Sequence, residues 1–136
     1  MAHLMWTDDL SVGIDSIDDQ HKILFALIDK LQDAMSRGES RSVLGEVFQG
    51  LIDYTEQHFR NEEQLFAQHG YSGAAAHQAK HLDFVKKMQD LFNQFHENTN
   101  FMIGVDVMKF LTDWLVTHIQ GTDRQYAPFL LDKGVK

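Results

Sequence analysis

Seven side chains able to hold a metal recur at helical spacing along this 136-residue chain: His21, His58, Glu62, His77, His81, His118 and Asp123. His58 and Glu62 stand at i and i+4, as do His77 and His81, which places each pair about 5–6 Å apart on one helix face. Such pairs can converge on one ion. A lone histidine on an apolar helix face is ordinarily a core residue with one hydrogen bond, and any one of these would be read that way. Seven polar groups on apolar seams at one level are not explained so simply. Zinc takes only three or four protein ligands. Calcium and magnesium want oxygen, and this set is rich in nitrogen. Imidazole with bridging carboxylate suits iron or manganese, and two ions match the count.

The donors need rigid elements to aim them. Glycines punctuate the chain where helices should stop, Gly38 after Arg37 and Gly70 after His69, and the one proline, Pro128, lies late. We read helices over 18–37, 41–69, 73–97 and 105–122, with Ser40 and Ser72 as N-caps. The series Ile17, His21, Leu24, Ile28, Leu31, Met35 steps by threes and fours. So do Leu44, Phe48, Leu51, Thr55, His58, Glu62, Leu65, then His77, His81, Phe84, Met88, Leu91, Phe95, and then Met108, Leu111, Leu115, His118. That period is the knobs-into-holes seam of an all-α, up-down-up-down antiparallel four-helix bundle. In it, helices one and three run against two and four, and all seven donors reach the same end. The expected organisation is one domain over 1–136. It comprises an irregular N-terminal arm (1–17) containing Trp6, Val12 and Ile14, the bundle (18–122), and a tail (123–136) with a short helix near Tyr126 to Leu131.

Asp123 is the difficult member. Five residues past His118 it points about 140° away on an ideal α-helix. A π-bulge or the helix end would bring it back, and Gly121 makes either cheap. Otherwise it is a solvated aspartate.

Bulk properties exclude several classes. A net charge of −8 disfavours nucleic acid and anionic membranes. There is no cysteine, so no disulfide, iron–sulfur cluster or thiolate site. The longest aliphatic run, Ile23 to Ile28, is too short to span a bilayer, and Met1 to Trp6 does not read as a signal peptide. A cytoplasmic monomer is the expectation. His3, His69 and His96 have no seam partner and read as surface groups, Glu63 as solvated, and Lys80, Lys86 and Lys87 as an exposed face. Ferritin-like di-iron bundles use four carboxylates and a Glu-x-x-His motif. Here two carboxylates meet five imidazoles, a donor set that disfavours high-valent iron and leans towards reversible oxygen binding.

The strings Asp18-Asp19-Gln20-His21, His58-Phe59-Arg60-Asn61-Glu62-Glu63, His77 to His81, and Trp114 to Asp123 resemble those of the hemerythrins, specifically the bacterial ones, over about Trp6 to Tyr126. The resemblance implies a non-haem di-iron centre. One iron would take His77, His81 and His118, and the other His21 and His58. Glu62, Asp123 and an oxo or hydroxo group would bridge them. The second iron then keeps an open position for O2. An apolar wall would keep water out, and the candidates by spacing are Leu24, Phe25, Phe59, Trp114, Leu115 and Ile119, all of which would serve as ordinary core as well.

Three functions compete. The first is oxygen transport, storage or delivery, with O2 as ligand and an oxygen-consuming enzyme or a reductant as partner. The second is an O2 or redox sensor. Sensors of this kind carry a fused signalling segment, and the short stretch after helix four favours the carrier. The third is an enzyme: a ferroxidase, oxidase, peroxidase or nitric-oxide activity at the same irons. The expectation is a binding protein, not an enzyme.

Overall fold

The computed structural model describes residues 6–38, 41–97 and 103–136. Its elements are a 3-10 turn at Asp8–Leu10, α1 (Asp15–Ser36), α2 (Arg41–His69), α3 (Ala74–Glu97) and α4 (Ile103–Thr117). A π segment, His118–Asp123, then runs directly into α5 (Arg124–Asp132). Helix α1 packs on α2 and α4, and α3 packs on α2 and α4, which closes the antiparallel four-helix bundle. Among the described residues no helix is long and apolar enough to cross a membrane.

The seams expected from spacing are the buried faces. Ile17, Leu24, Ile28 and Leu31 of α1 meet Phe48 and Leu51 of α2, Phe84, Met88 and Leu91 of α3, and Leu111 and Leu115 of α4 in one core. Three positions slip by one residue. On α1 it is Ala34 that is buried and Met35 half-buried. On α2 Phe66 is buried and Leu65 only half-buried, and on α4 Val107 is buried and Met108 half-buried. The α2 slip has a simple origin. A helix of 3.6 residues per turn drifts about 20° per heptad from a 3.5-residue stripe. Three heptads after Leu44, the inward position has rotated to Phe66.

Helix ends explain the loops. Gly38 and Gly70 adopt φ of +68° and +71°, the left-handed region that glycine enters without a Cβ clash. At Gly70 the stop is a Schellman turn: the Tyr71 N–H donates to the Phe66 carbonyl at 3.0 Å, and the two rings pack 5.0 Å apart. Helix α3 starts at Ala74, so Gly73 and not Ser72 stands before it. Ser40 lies outside the described residues.

The arm is shorter and better anchored than an irregular leader. Helix α1 begins at Asp15, ahead of position 18, with Asp15 and Asp18 in its first turn where the helix dipole favours acids. Asp18 also clamps the arm: it accepts from the Ser11 hydroxyl at 2.5 Å and the Val12 N–H at 2.9 Å. Leu10, Val12 and Ile14 are buried in the bundle core as a result. The Arg124 guanidinium donates to the Asp9 carbonyl and ties arm to tail.

Replacing Asp18 with Ala removes both acceptors from a mostly buried backbone N–H and hydroxyl. The expected cost is about 1–3 kcal/mol, read as a lower urea midpoint at unchanged slope. An unshifted midpoint would show that the arm is held by its apolar residues alone.

Candidate metal centre

All seven donors come from the bundle wall at one end and all are buried. His21 from α1, His58 and Glu62 from α2, His77 and His81 from α3, and His118 and Asp123 from the π segment are each no more than 5 % exposed. The π segment is what admits Asp123. A turn closed by i→i+5 hydrogen bonds returns the fifth residue over the first, and the Arg124 N–H donates to the Ile119 carbonyl in that register. Asp123 Oδ1 consequently lies 3.0 Å from His118 Nε2. The turn does not depend on the glycine expected to ease it: Gly121 is exposed, has open space where a Cβ would stand and has no positive φ, so another residue would fit there.

The donors fall into two groups whose ligand atoms lie within 4.8 Å of one another: His77, His81, His118 and Asp123, and His21, His58 and Glu62. Each carboxylate faces both. Asp123 Oδ1 is 3.0 Å from His77 Nε2, and its Oδ2 is 3.2 Å from His21 Nε2. Glu62 Oε1 is 3.1 Å from His58 Nε2 and 3.5 Å from His81 Nε2, and its Oε2 is 4.0 Å from His77 Nε2. His77 and His118 bring their Nε2 atoms to 3.2 Å. Two nitrogens bound at about 2.1 Å and at right angles to one ion stand about 3 Å apart, so the separation suits neighbouring ligands.

Hydrogen bonding supports the same fit. All four oxygens of Glu62 and Asp123, His21 Nε2 and His81 Nε2 are buried without an aligned hydrogen-bond partner, although imidazoles and carboxylates lie at ion-pair distance. Orphaned buried acceptors are rare and costly. Here they point at one another, as they would around cations. His21 Nδ1 is also orphaned, and nothing in the structure supplies its partner.

The outer nitrogens set the tautomers of two rings. His58 Nδ1 donates to Gln20 Oε1 at 2.6 Å, and His81 Nδ1 donates to Glu63 Oε2 at 3.0 Å. A carboxylate or amide oxygen only accepts, so Nδ1 carries a proton, and in the neutral ring the Nε2 lone pair faces the site. Glu63 is therefore no solvated bystander: it is half-buried and bound to a site histidine. Burial, then the neighbouring Glu62 charge, pushes its carboxyl up.

Electrostatics are strained in both directions. Burial would raise Asp123, but the imidazoles of His118, His21 and His77 outweigh it and hold the carboxyl well below its usual range. For Glu62, burial and the Asp123 charge raise the carboxyl, while His58 and His21 bring the net shift below normal. Burial lowers His58, but Glu62 and Asp123 together leave it raised. His81 is lowered to about 3, first by burial and then by His77 and His118, against the pull of Glu62.

Rings pack the site closed. Phe59 lies parallel to His81 at 3.7 Å, and Trp114 parallel to His118 at 4.2 Å. The other proposed wall residues, Leu24, Phe25, Leu115 and Ile119, are all in the buried core, and Phe25 also packs its ring on Trp6 of the arm at 5.7 Å. Four neighbours escaped the sequence reading: Gln20, Glu63, Phe66 and Tyr126. Phe66 packs on His77 at 4.9 Å, and Tyr126 packs on Phe66 and His77 at 5.1 and 5.5 Å. Only Tyr126 left a signal, three residues after Asp123 on a helix. His96 is exposed, His69 is half-buried, Lys80, Lys86 and Lys87 are exposed, and His3 lies outside the described residues.

A helical bundle with a buried histidine–carboxylate cluster defines a metal-binding protein, and the comparisons narrow the class. The model of the "Hemerythrin HHE cation binding domain" matches residues 12–130. The chain is 37% identical over 131 residues to the bacteriohemerythrin of Methylococcus capsulatus, covering 96% of this chain and 98% of that protein. It is 35% identical to the hemerythrin-like protein of Naegleria gruberi, covering 92% of each. A crystal structure of wild-type hemerythrin superposes with a TM-score of 0.85 at 37% identity, over 93% of this chain and 97% of that one. The chain belongs to the hemerythrin family.

For His81 the folded state binds a proton less readily than the unfolded chain does, with its ordinary value of 6.5. Its contribution to stability is therefore complete above that pH and is lost as pH falls towards about 3. In metal-free protein at pH 5, ring-nitrogen NMR should find His81 neutral. A charged His81 at that pH would show that Phe59 does not seal it.

Proposed function

We propose that the chain binds O2 reversibly at a di-iron centre and serves in oxygen transport, storage or delivery. One observation carries the reading: seven buried donors form two groups, with a carboxylate facing both. His77, His81 and His118 would hold one iron and His21 and His58 the other, with Glu62 and Asp123 bridging. The second group has one histidine fewer, which leaves room for a ligand.

Two irons there would supply electrons and an open coordination position to dioxygen. The chain's residues do the rest. Five imidazole donors against only two carboxylates keep the site's negative charge low, a balance that favours binding over turnover. Gln20 and Glu63 orient His58 and His81. Phe59 and Trp114 shield rings of the three-histidine group. Leu24, Phe25, Leu115 and Ile119 complete the apolar surroundings that exclude water and protons.

Elemental analysis of freshly purified protein should return two irons per chain. His118→Ala should lower that content and destabilise the loaded protein by roughly 3–5 kcal/mol, because buried carboxylates lose a compensating partner. Full iron content in the variant would remove His118 from the ligand set.

Mixing the reduced, iron-loaded protein with O2 should give a long-lived absorption band that disappears under vacuum. Leu115→Asn should shorten the life of that band severalfold by admitting water. Rapid passage of the unmutated protein to the ferric state with peroxide release would favour an oxidase or sensor. An unchanged lifetime in the variant would reduce Leu115 to packing.

A further inference from the structure

A groove lies between α3 and α4, with a volume of about 730 Å³, a size common for small-molecule sites. Its walls carry Lys80 and Lys87 from α3 and Lys109, Phe110 and Trp114 from α4, and His118 lines its metal end. Asp106 and Asp113 also line it, so three ammonium groups stand against two carboxylates. A locally positive groove is unusual on a chain of net charge −8. Lys80 Nζ donates to Thr122 Oγ1 at 3.1 Å, which fixes the groove's end beside the π segment.

The groove is also the point where aromatic packing joins surface to site. Phe110 stacks on Phe84 at 5.3 Å, Phe84 meets Trp114 at 4.4 Å, and Trp114 lies flat on His118 at 4.2 Å. All seven donors are at least 95 % buried, so no reductant can touch a metal held by them. Electrons must therefore cross protein, and the groove offers a short path: His118 itself lines it, and half-buried Trp114, also in its wall, stacks on His118.

We propose that this groove docks an anionic, aromatic one-electron reductant, a reduced flavin mononucleotide, which returns an oxidised metal pair to its ferrous state. The assignment rests on the di-iron reading above. Each ferric ion accepts one electron, so the donor must release electrons singly. A reduced flavin does this, and a nicotinamide, which releases a hydride, does not. The balance is complete: the reduced flavin loses two electrons and two protons, two ferric ions gain the electrons, and the protons pass to water. The phosphate, close to doubly charged at pH 7, suits the lysines. The isoalloxazine ring suits Phe110 and Trp114.

The test has two parts. Calorimetric titration of oxidised flavin mononucleotide into the protein as purified requires neither oxygen affinity nor iron turnover. Saturable binding is expected, weakened roughly tenfold or more in Lys87→Gln/Lys109→Gln and for riboflavin, which lacks the phosphate. Absent binding, or equal affinity in the variant or for riboflavin, overturns the docking site. Both lysines are exposed, and the variant's fold is checked by circular dichroism. Raised salt should weaken binding to the unmutated protein as well, and salt-independent binding overturns the charge argument without any variant. Anaerobic mixing of reduced flavin mononucleotide with oxidised, iron-loaded protein should give a rate that saturates with flavin in the unmutated protein. In the variant the rate should be slower and linear. The same linear dependence in both overturns the proposal. Failure of the oxygen reading would appear separately, as purified protein without iron.

Discussion

Two carboxylates buried among five imidazoles are the constraint around which this bundle is arranged. Neither Glu62 nor Asp123 reaches water, and none of their oxygens has an aligned donor. Isolated anions in such surroundings cost many kcal/mol. The imidazoles offset part of this, and the carboxylates hold a proton on His58 more firmly than usual, but neutral His81, with its proton on Nδ1, presents a lone pair to Glu62. Cations are what the arrangement lacks, and the proposed metal pair supplies them. Metal binding and folding of this end of the bundle are then a single free-energy balance.

Around that cluster the bundle divides its labour. Its far half is plain packing, with Phe48, Met88 and Leu91 setting helix spacing. Its near half carries the donors, and behind them stand Gln20, Glu63, Trp114 and Phe66, each touching one histidine, and Phe59, which touches His58, His81 and His118. The arm and tail close the same half, linked by Arg124 and clamped by Asp18. The candidate metal donors and the helix packing therefore use different residues of the same seams.

The bundle and its donors were legible because their signal is periodic. A helix that buries one stripe must repeat it every three or four residues, and His21, His58, Glu62, His77, His81 and His118 interrupt that stripe at one level. Asp123 was half-legible: five residues from His118 required a departure from α geometry, and the π segment is that departure. Glu63 was misjudged because i+1 from a seam residue normally faces water; its partner His81 sits on another helix, and sequence spacing says nothing across helices. Gln20 was hidden for the same reason, being 38 residues from His58. Ser72 failed as a cap because Gly73 takes its place, and the slip from Leu65 to Phe66 needed the helix drift to be followed over three heptads.

The flat stacking of Trp114 on His118 has an optical consequence. The chain has two tryptophans. Trp6 sits on the arm between Phe25 and the Lys22 ammonium, while Trp114 rests on a donor ring. A paramagnetic ion bound through His118, as proposed, would lie one imidazole away from the Trp114 indole and would drain its emission. Indole fluorescence would then serve as a gauge of occupancy at the site.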